Sequence, residues 1–384
     1  MAGALDGLLV ADFSRVLAGP YATMLLADLG ATVVKVERPG SGDDTRAWGP
    51  PYAADGQATY FHAVNRNKRS IALDLADPRD LAIAHELARQ ADVMIENYKP
   101  GGLLRFGLDY DSVRASNPAI VYCSISGFGN HEGTELPGYD LLVQAMGGLM
   151  SITGTDQPTK AGVALVDVLT GLHATVGILA AHAHRQATGE GQQVSVTLLG
   201  SLLSSLVNQA SGYVGAGVVP TFMGNAHPSI APYSVFACAD RPLCIAVGND
   251  AQFRALCGAL GAEGLAAEPR FATNPDRVRN REELTAELEA ILAANGADHW
   301  HAVISTAGVP CGPINDIGQA FELAERLGLS PVVEIADPRR QEAVRQVSQP
   351  TDYSRTPAAY ASAPPRVDED RAWVLRVLGL DEGA

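Results

Sequence analysis

The chain has 384 residues, 47% of them hydrophobic, and a formal net charge of −15. This length and composition predict a globular protein with two domains. The acidic balance disfavours nucleic acid and anionic membranes as partners, because either would require a broad basic surface. We expect no membrane-spanning stretch, and the N-terminus lacks the basic region and cleavage site of a signal peptide, so a cytoplasmic location is expected.

The cysteines are scattered along the chain without a C-x-x-C pair. This spacing argues against a disulfide framework and against a zinc site. We therefore expect no bound metal. Ordinary buried thiols are expected at Cys123, Cys238, Cys244, Cys257 and Cys311.

Strands and helices alternate in the N-terminal third of the chain. The alternation predicts an α/β domain with a mostly parallel, doubly wound sheet. The first strand-to-helix turn, SRVLAGP, contains no G-x-G-x-x-G, so the usual dinucleotide fingerprint is absent. The predicted strands are Leu8–Phe13, Ala31–Glu37, Ser70–Leu73, Val93–Glu96 and Ile120–Ser124, and the predicted helices are Pro20–Leu29 and about Asp77–Gln90.

A Gly- and Pro-rich stretch that begins near Gly212 predicts a linker into a smaller α+β domain. From about Leu327 the chain is expected to return to the first domain with two short strands and a terminal helix. The predicted domains are therefore 1–211, 212–326 and 327–384, and the last belongs with the first.

The smaller domain has its own predicted elements. A strand is predicted at Cys244–Val247 and a helix at Ala251–Leu260. A further helix is predicted to start near Asn280, with Glu283 at the position that completes a capping box.

One carboxylate interrupts an apolar run just before a long helical pattern. Asp167 lies in AGVALVDVLTGLH, and the residues after it place Leu172, Val176 and Leu179 on one stripe of a helix over Thr170–Arg185. An ionised group in apolar surroundings is costly unless something uses or compensates its charge. Local sequence alone favours a helix N-cap. The positive end of the helix would also keep the carboxylate ionised as a nucleophile.

Polar and basic residues follow the predicted strands, at the edge where a doubly wound sheet binds its ligands. They form a local basic rim that suits phosphate groups. For any single arginine, solvation or pairing with a nearby carboxylate is an equally good interpretation. The residues after the strands are Asp12 to Arg15, Glu37, Arg38, Asn97 to Lys99, Ser124, Ser126 and Gly127, with Asn65–Arg69 and Arg105 close to other strands in the sequence.

Several long motifs in this order resemble the class III (family III) CoA-transferases. This superfamily includes formyl-CoA and carnitine CoA-transferases and the α-methylacyl-CoA racemases. The resemblance runs from Leu5 to the terminal helix and implies a Rossmann-like large domain, a small domain and an interlocked ring homodimer. The motifs are DFSRVLAGPYATMLLADLGATVVKVERPGSGDDTRAW, NRNKRSIALDL, ADVMIENYKPGGLLRFGL, SISGFG, PGYDLLVQAMGG, VDVLTGLHATVGILAA, TGEGQQVSVTLL and GNAHPSIAPYSVF.

The resemblance also implies roles for residues at matching positions. Asp167 matches the catalytic aspartate, which carries CoA as an aspartyl thioester, so the implied substrates are an acyl-CoA and a small carboxylic acid. The matching CoA-binding positions are Arg15, Val16, Ala18, Arg38, Asn97, Tyr98 and Arg105. The matching acyl-site positions are Trp48, Tyr60, Tyr139, Gly248, Asn249 and Asp250.

Two departures from formyl-CoA transferase put an oxalate and formate substrate pair in doubt. Pro137 stands where that enzyme has a basic residue, and GNDAQ at Gly248–Gln252 replaces its glycine-rich lid. By family analogy, succinyl-CoA is the default donor, and a small dicarboxylate or hydroxy acid is the default acceptor.

The main alternative is a racemase of the same superfamily. Racemases carry a histidine base where this chain has Tyr139, and tyrosine, with an unperturbed pKa of about 10, is a poor replacement at neutral pH. A catalytically silent CoA-binding protein is disfavoured because Asp167 is retained. His173 is a candidate to orient Asp167, although a buried packing role is expected more often. The candidate oxyanion amides are those of Gly248–Asp250 and of the Gly147–Gly148 turn.

Overall fold

The computed structural model describes residues 3–380 and divides into two compact units. Within that range the first unit comprises 3–150, 160–219 and 330–380, and the second comprises 151–159 and 220–329. The assignment of 151–159 to the second unit has no counterpart in the domains predicted from sequence.

A six-stranded sheet forms the centre of the first unit. Its strands are β1 (Leu9–Asp12), β2 (Thr32–Glu37), β3 (Lys68–Ala72), β4 (Val93–Glu96), β5 (Val121–Ser126) and β6 (Gln192–Thr197). All are parallel, in the order β3-β2-β1-β4-β5-β6, so the predicted α/β fold with a large parallel sheet is confirmed. The sequence analysis missed β6, because this partly exposed edge strand lacks the continuous apolar run of the buried strands.

Helices connect these strands. They are α1 (Ala18–Asp28), α2 (Thr59–His62), α3 (Pro78–Gln90), α4 (Tyr110–Ser116), α5 (Asp140–Met146), α6 (Leu149–Ile152), α7 (Leu165–Thr188), α8 (Leu198–Ser205) and α9 (Val207–Ala216), with 3₁₀ turns at Asp44–Ala47 and Leu104–Phe106. The side chain of Asp77 accepts a hydrogen bond from the Arg79 amide and so fixes the start of α3 where the sequence predicts it.

The second unit contains a three-stranded antiparallel sheet with helices. The capping box predicted at Glu283 is wrong, because the Asn280 side chain caps no amide and instead donates to the Arg270 and Asp276 carbonyls. A capping box does occur later, between Asp316 and Gln319. The elements are β7 (Tyr233–Phe236), β8 (Leu243–Ala246), α10 (Asp250–Ala259), α11 (Glu263–Ala267), α12 (Asn274–Arg279), α13 (Arg281–Leu292), α14 (Ala297–Thr306), β9 (Cys311–Pro313) and α15 (Ile317–Arg326).

The C-terminal segment returns to the first unit. It forms an antiparallel pair, β10 (Val332–Ile335) and β11 (Val344–Val347), and then α16 (Arg371–Leu378). The Asp370 carboxylate accepts a hydrogen bond from the Ser70 amide, 3.0 Å away, and so fixes α16 beside β3.

Two apolar cores lie on opposite faces of the large sheet. Alternate residues of one strand divide between them, since side chains in a strand point to opposite faces: Val93 and Ile95 belong to one core and Met94 to the other. The first core includes residues of α1, α7 and α8, and the second includes residues of α3, α4 and α16. Helices therefore cover both faces and leave the carboxyl ends of the strands open for a ligand.

Helix α7 is long and apolar enough to cross a membrane by length and composition, with a mean hydropathy of 1.4 over its most apolar window. The expectation that no stretch has these properties is therefore wrong. One face of α7 is nevertheless buried in the first core, through Val166, Ala174, Ile178 and Ala181. The structure uses α7 as a core helix of the first unit.

Candidate active site

A cavity of about 1000 Å³ lies in the first unit at the carboxyl ends of β1, β4 and β5. Its walls come from the turns that follow these strands and from the start of α7. The cavity brings together most of the predicted site residues, namely Arg15, Val16, Ala18, Trp48, Tyr60, Asn97, Tyr98, Tyr139 and Asp167.

The predicted residues Arg38 and Arg105 line a smaller neighbouring cavity of about 230 Å³. Arg15 and Tyr98 line both cavities, and the Arg15 guanidinium lies 5.1 Å from the centroid of the Tyr98 ring. Arg38 forms an ion pair with Asp44, whereas Arg105 has no carboxylate within 4 Å in the part of the chain that the structure describes. Together these cations can hold the phosphates of a nucleotide.

The loop after β1 is held in an unusual conformation. Val16 has a φ of +70°, which a β-branched residue rarely adopts. The Asp43 carboxylate accepts a hydrogen bond from the Val16 amide (3.2 Å) and forms a buried ion pair with Lys35 (2.9 Å). The Asn97 side chain bonds both the amide and the carbonyl of Arg15. The loop is therefore fixed on two sides before a ligand binds.

Asp43 stays ionised in this arrangement. Burial opposes its charge, but the Lys35 ammonium and hydrogen bonds from Thr45 outweigh burial and lower the pKa of Asp43 to about 2. A lasting negative charge therefore holds the Val16 amide at neutral pH.

Asp167 lies in the first turn of α7 and faces the cavity. The N-cap interpretation is wrong, because Ala164 occupies the N-cap position and the Asp167 side chain bonds no backbone amide among the described residues. Burial, together with the nearby Asp140 carboxylate, raises the pKa of Asp167 to about 7. Burial and the Asp140 charge thus favour the neutral acid and oppose the effect expected from the positive end of the helix.

Asp140 performs the capping that Asp167 does not. Its Oδ1 accepts hydrogen bonds from the Val166 amide (2.8 Å) and the Asp167 amide (3.3 Å), while its Oδ2 accepts one from the Gln144 side chain (2.6 Å). The sequence analysis missed this role. The available signal was the aspartate of the PGYD motif, which begins α5, but sequence does not show which helix a side chain caps.

Two aromatic side chains line the same cavity as Asp167. The rings of Trp48 and Tyr60 make an edge-on contact with centroids 5.2 Å apart. Burial, with the nearby charges of Asp167 and Asp140, raises the pKa of Tyr60, so its hydroxyl stays protonated and can donate a hydrogen bond. Tyr139, by contrast, is 64% exposed at the cavity edge.

The predicted residues Gly248, Asn249 and Asp250 lie in the second unit, and their role in the acyl site stays a prediction. Each has a local structural contact. The Gly248 amide donates to the Gln252 side chain, Asn249 caps α10, and Asp250 pairs with Arg277 at 2.8 Å.

Two further sequence-based candidates have other partners. The Gly147 amide, proposed for the oxyanion site, donates to the Val143 carbonyl at 2.7 Å. His173 is exposed rather than buried, and its Nδ1 lies 2.9 Å from the Leu169 carbonyl. It does not contact Asp167 in the structure.

Within residues 3–380, no cluster of three or more His, Cys, Asp and Glu side chains could hold a metal ion. The expected independence from metal stays a prediction.

Comparisons with known proteins identify the class of protein. Residues 5–371 match the family described as CoA-transferase family III. The chain therefore belongs to this family and is a CoA-transferase, as the motifs of the sequence indicate.

Individual relatives support this placement over nearly the whole chain. A succinate–glutarate CoA-transferase from Agrobacterium fabrum is 45% identical over 97% of this chain and 95% of its own. A succinyl-CoA:glutarate CoA-transferase from Mus musculus is 41% identical over 99% and 88%. The crystal structure of a CaiB/BaiF family protein from Brucella suis is 42% identical, with a TM-score of 0.87 over 98% of this chain and 100% of that one.

Proposed function

We propose that the protein moves CoA from succinyl-CoA to a free dicarboxylic acid such as glutarate, through an aspartyl-CoA thioester on Asp167. The observation that carries this proposal is the half-buried carboxylate of Asp167 in the cavity that most of the predicted CoA-binding residues line. The names of the two relatives described above support the choice of substrates.

The reaction begins when the Asp167 carboxylate attacks the thioester carbonyl of succinyl-CoA. A mixed anhydride forms, and the C–S bond breaks to release CoA thiolate. The thiolate then attacks the aspartyl carbonyl, which gives the aspartyl-CoA thioester and free succinate.

The second half of the reaction repeats these steps with the acceptor. The acceptor carboxylate attacks the aspartyl-CoA thioester, forms a second mixed anhydride and releases CoA thiolate. The thiolate attacks the acceptor carbonyl, which yields the new acyl-CoA and regenerates the Asp167 carboxylate. Each step exchanges one activated acyl group for another, so the cycle balances without ATP.

The surroundings of Asp167 suit this covalent role. Its raised pKa makes the carboxylate more basic than an exposed aspartate, and basicity strengthens a nucleophile once it is ionised. The hydrogen bonds from the Val166 and Asp167 amides to Asp140 hold the first turn of α7 in place. We propose that Asp140 is a positioning residue and that the Tyr60 hydroxyl donates to an oxygen of the reacting carboxyl group.

The proposal also includes the finer architecture expected from sequence. The strand order β3-β2-β1-β4-β5-β6 supports a Rossmann-like sheet.

We propose that two chains interlock as a homodimer. Helix α9 and the residues after it carry apolar side chains that are 59% to 83% exposed, at Val207, Tyr213, Val214 and Val219. Light scattering should then give twice the mass of one chain.

The function is tested by exchange of CoA between succinyl-CoA and a panel of free acids, followed by mass spectrometry. We expect glutaryl-CoA to form with ping-pong kinetics. The same samples in heavy water, with a 2-methylacyl-CoA and no acceptor acid, distinguish a racemase. Rapid deuteration at the α-carbon, without CoA exchange, would contradict the transferase function.

A further inference from the structure

Some of the cations that line the large cavity have a carboxylate partner, and one does not. Two of its cations have carboxylate partners: Arg15 lies 3.7 Å from Asp44, which also pairs with Arg38, and Lys99 lies 2.6 Å from Glu135. One cavity-lining cation, Lys160, is left over. Its ammonium group bonds the carbonyl of the neighbouring Ala161 at 3.1 Å and has no carboxylate within 4 Å among residues 3–380.

A dicarboxylic substrate brings a charge problem into this cavity. One carboxyl group reacts at Asp167, and the other, distal carboxylate remains ionised throughout. The cavity already holds Asp167 and Asp140, and neither carboxylate has a cation within 4 Å among residues 3–380. A further negative charge is repelled there unless a counter-ion binds it.

The backbone beside Lys160 is connected to the start of α7. The Gln144 side chain accepts a hydrogen bond from the Ala161 amide at 2.8 Å and donates one to Asp140 at 2.6 Å. Asp140 in turn holds the Asp167 amide. The same hydrogen-bonded chain therefore fixes both the backbone of the residue that reacts and the segment that carries the unpaired ammonium group.

We propose that Lys160 determines substrate specificity by binding the distal carboxylate of a dicarboxylic substrate, an inference that rests on the proposed function. Because donor and acceptor occupy the site in turn, Lys160 binds the distal carboxylate of both. An ion pair of this kind lowers KM for dicarboxylic substrates and leaves those with a single carboxyl group unaffected.

Pairs of substrates with and without a distal carboxylate test the role of Lys160 in the whole protein. Lys160→Gln keeps a long polar side chain but removes the charge. We expect KM to rise about tenfold or more for glutarate and succinyl-CoA, and to stay unchanged for pentanoate and butyryl-CoA. Lys99→Gln is the matched control, because it removes a cavity cation that already has a carboxylate partner. It should leave the preference for dicarboxylates unaltered.

Reversal of the charge gives a readout that a structural role would not produce. With Lys160→Glu, 5-aminopentanoate, which carries an ammonium group in place of the second carboxylate of glutarate, should become a better acceptor than glutarate. Unchanged dicarboxylate preference in Lys160→Gln, while CoA transfer continues, would overturn the role of Lys160 and leave the function intact. If the wild-type protein transfers CoA to no acid at all, the proposed function itself fails.

Discussion

Asp12 and Asp167 are carboxylates of the same unit, one fully buried and the other half-buried at a cavity, and their surroundings are opposite. Asp12 is fully buried and accepts hydrogen bonds from the Ser14 and Thr23 hydroxyls and from the Lys68 ammonium. Burial opposes its charge, but Lys68 and Lys35, with these hydroxyls, outweigh burial and hold the pKa of Asp12 below its usual range. In the described part of the chain Asp167 has no such partners, and its pKa rises to about 7.

The difference shows how one fold assigns two roles to the same side chain. The hydrogen bonds and lysines around Asp12 use its lone pairs, so this carboxylate stabilises the strand ends and is unavailable for chemistry. The Asp167 carboxylate has open lone pairs facing the cavity, at a cost in desolvation. A half-buried acid with a raised pKa and no hydrogen-bond partner in a cavity is a feature typical of functional sites.

The largest effect is expected from Asp167→Asn. This change removes the nucleophile with little change in volume, so kcat for CoA transfer should fall by at least about 10⁴-fold. The native pKa of Asp167 is raised, so its charge costs stability as the pH rises from its ordinary pKa towards 7. The Asn variant should therefore be at least as stable as wild type at pH 8 in urea unfolding. A less stable variant would show that Asp167 has a structural role.

Asp12→Asn should have the opposite effect on stability, which it should lower. It leaves the buried ammonium group of Lys68 without its carboxylate, whereas Lys35 keeps its ion pair with Asp43, and the loss should lower the free energy of unfolding by about 3–5 kcal/mol. Because the native pKa of Asp12 is lowered, its stabilising effect is present above the ordinary aspartate pKa and lost as pH falls through the native value. Urea unfolding across pH 3 to 8 measures both the loss in free energy of unfolding and its dependence on pH. Equal stability of wild type and variant across this range would refute the comparison.

The sequence predicted the sheet strands and Asp167 for different reasons. Apolar runs such as Val93–Glu96 reveal buried strands directly, whereas Gln192–Thr197 does not, because an edge strand needs only half of its surface covered. Asp167 was found because a charge in an apolar run is costly.

The electrostatic state of Asp167 could not be predicted from sequence. The sequence shows the helix that follows Asp167 but not the burial of its side chain or the approach of Asp140 from another helix. The capping role of Asp140 and the unpaired charge of Lys160 depend in the same way on long-range contacts. Contacts between side chains that are far apart in the sequence leave no pattern in the neighbouring residues from which they could be predicted.

Asp140→Asn tests, through the pH dependence of the reaction, how far the Asp140 charge raises the pKa of Asp167. Burial is the main cause of the raised pKa of Asp167, and the Asp140 charge adds to it. The carboxylate form is the nucleophile, so wild-type kcat/KM should rise with pH through about 7. In the Asn variant this rise should move to lower pH, while the amide oxygen can still accept from the Val166 and Asp167 amides. A pH profile identical to wild type would mean that Asp140 does not influence Asp167.

The smallest effect is expected from changes to the two arginines that are predicted to bind the nucleotide of CoA. Arg105→Ala should weaken CoA binding by about 1–3 kcal/mol, as expected for a charged hydrogen-bonding partner. Arg38→Ala should weaken it less, because Arg38 already pairs with Asp44. Calorimetric titration with CoA measures both, and Arg114→Ala, an exposed arginine that lines neither cavity, is the control. Wild-type affinity in both site variants would place the nucleotide elsewhere.

Trapping of the covalent intermediate shows directly whether Asp167 carries CoA during the reaction. The wild-type protein is incubated with succinyl-CoA and then quenched with hydroxylamine, which converts an activated carboxyl group to a hydroxamate, and the peptide that contains Asp167 is analysed by mass spectrometry. We expect a hydroxamate at Asp167 that depends on succinyl-CoA and is absent from the Asp167→Asn variant. An unmodified Asp167 in wild type, together with full turnover by the Asn variant, would contradict the account.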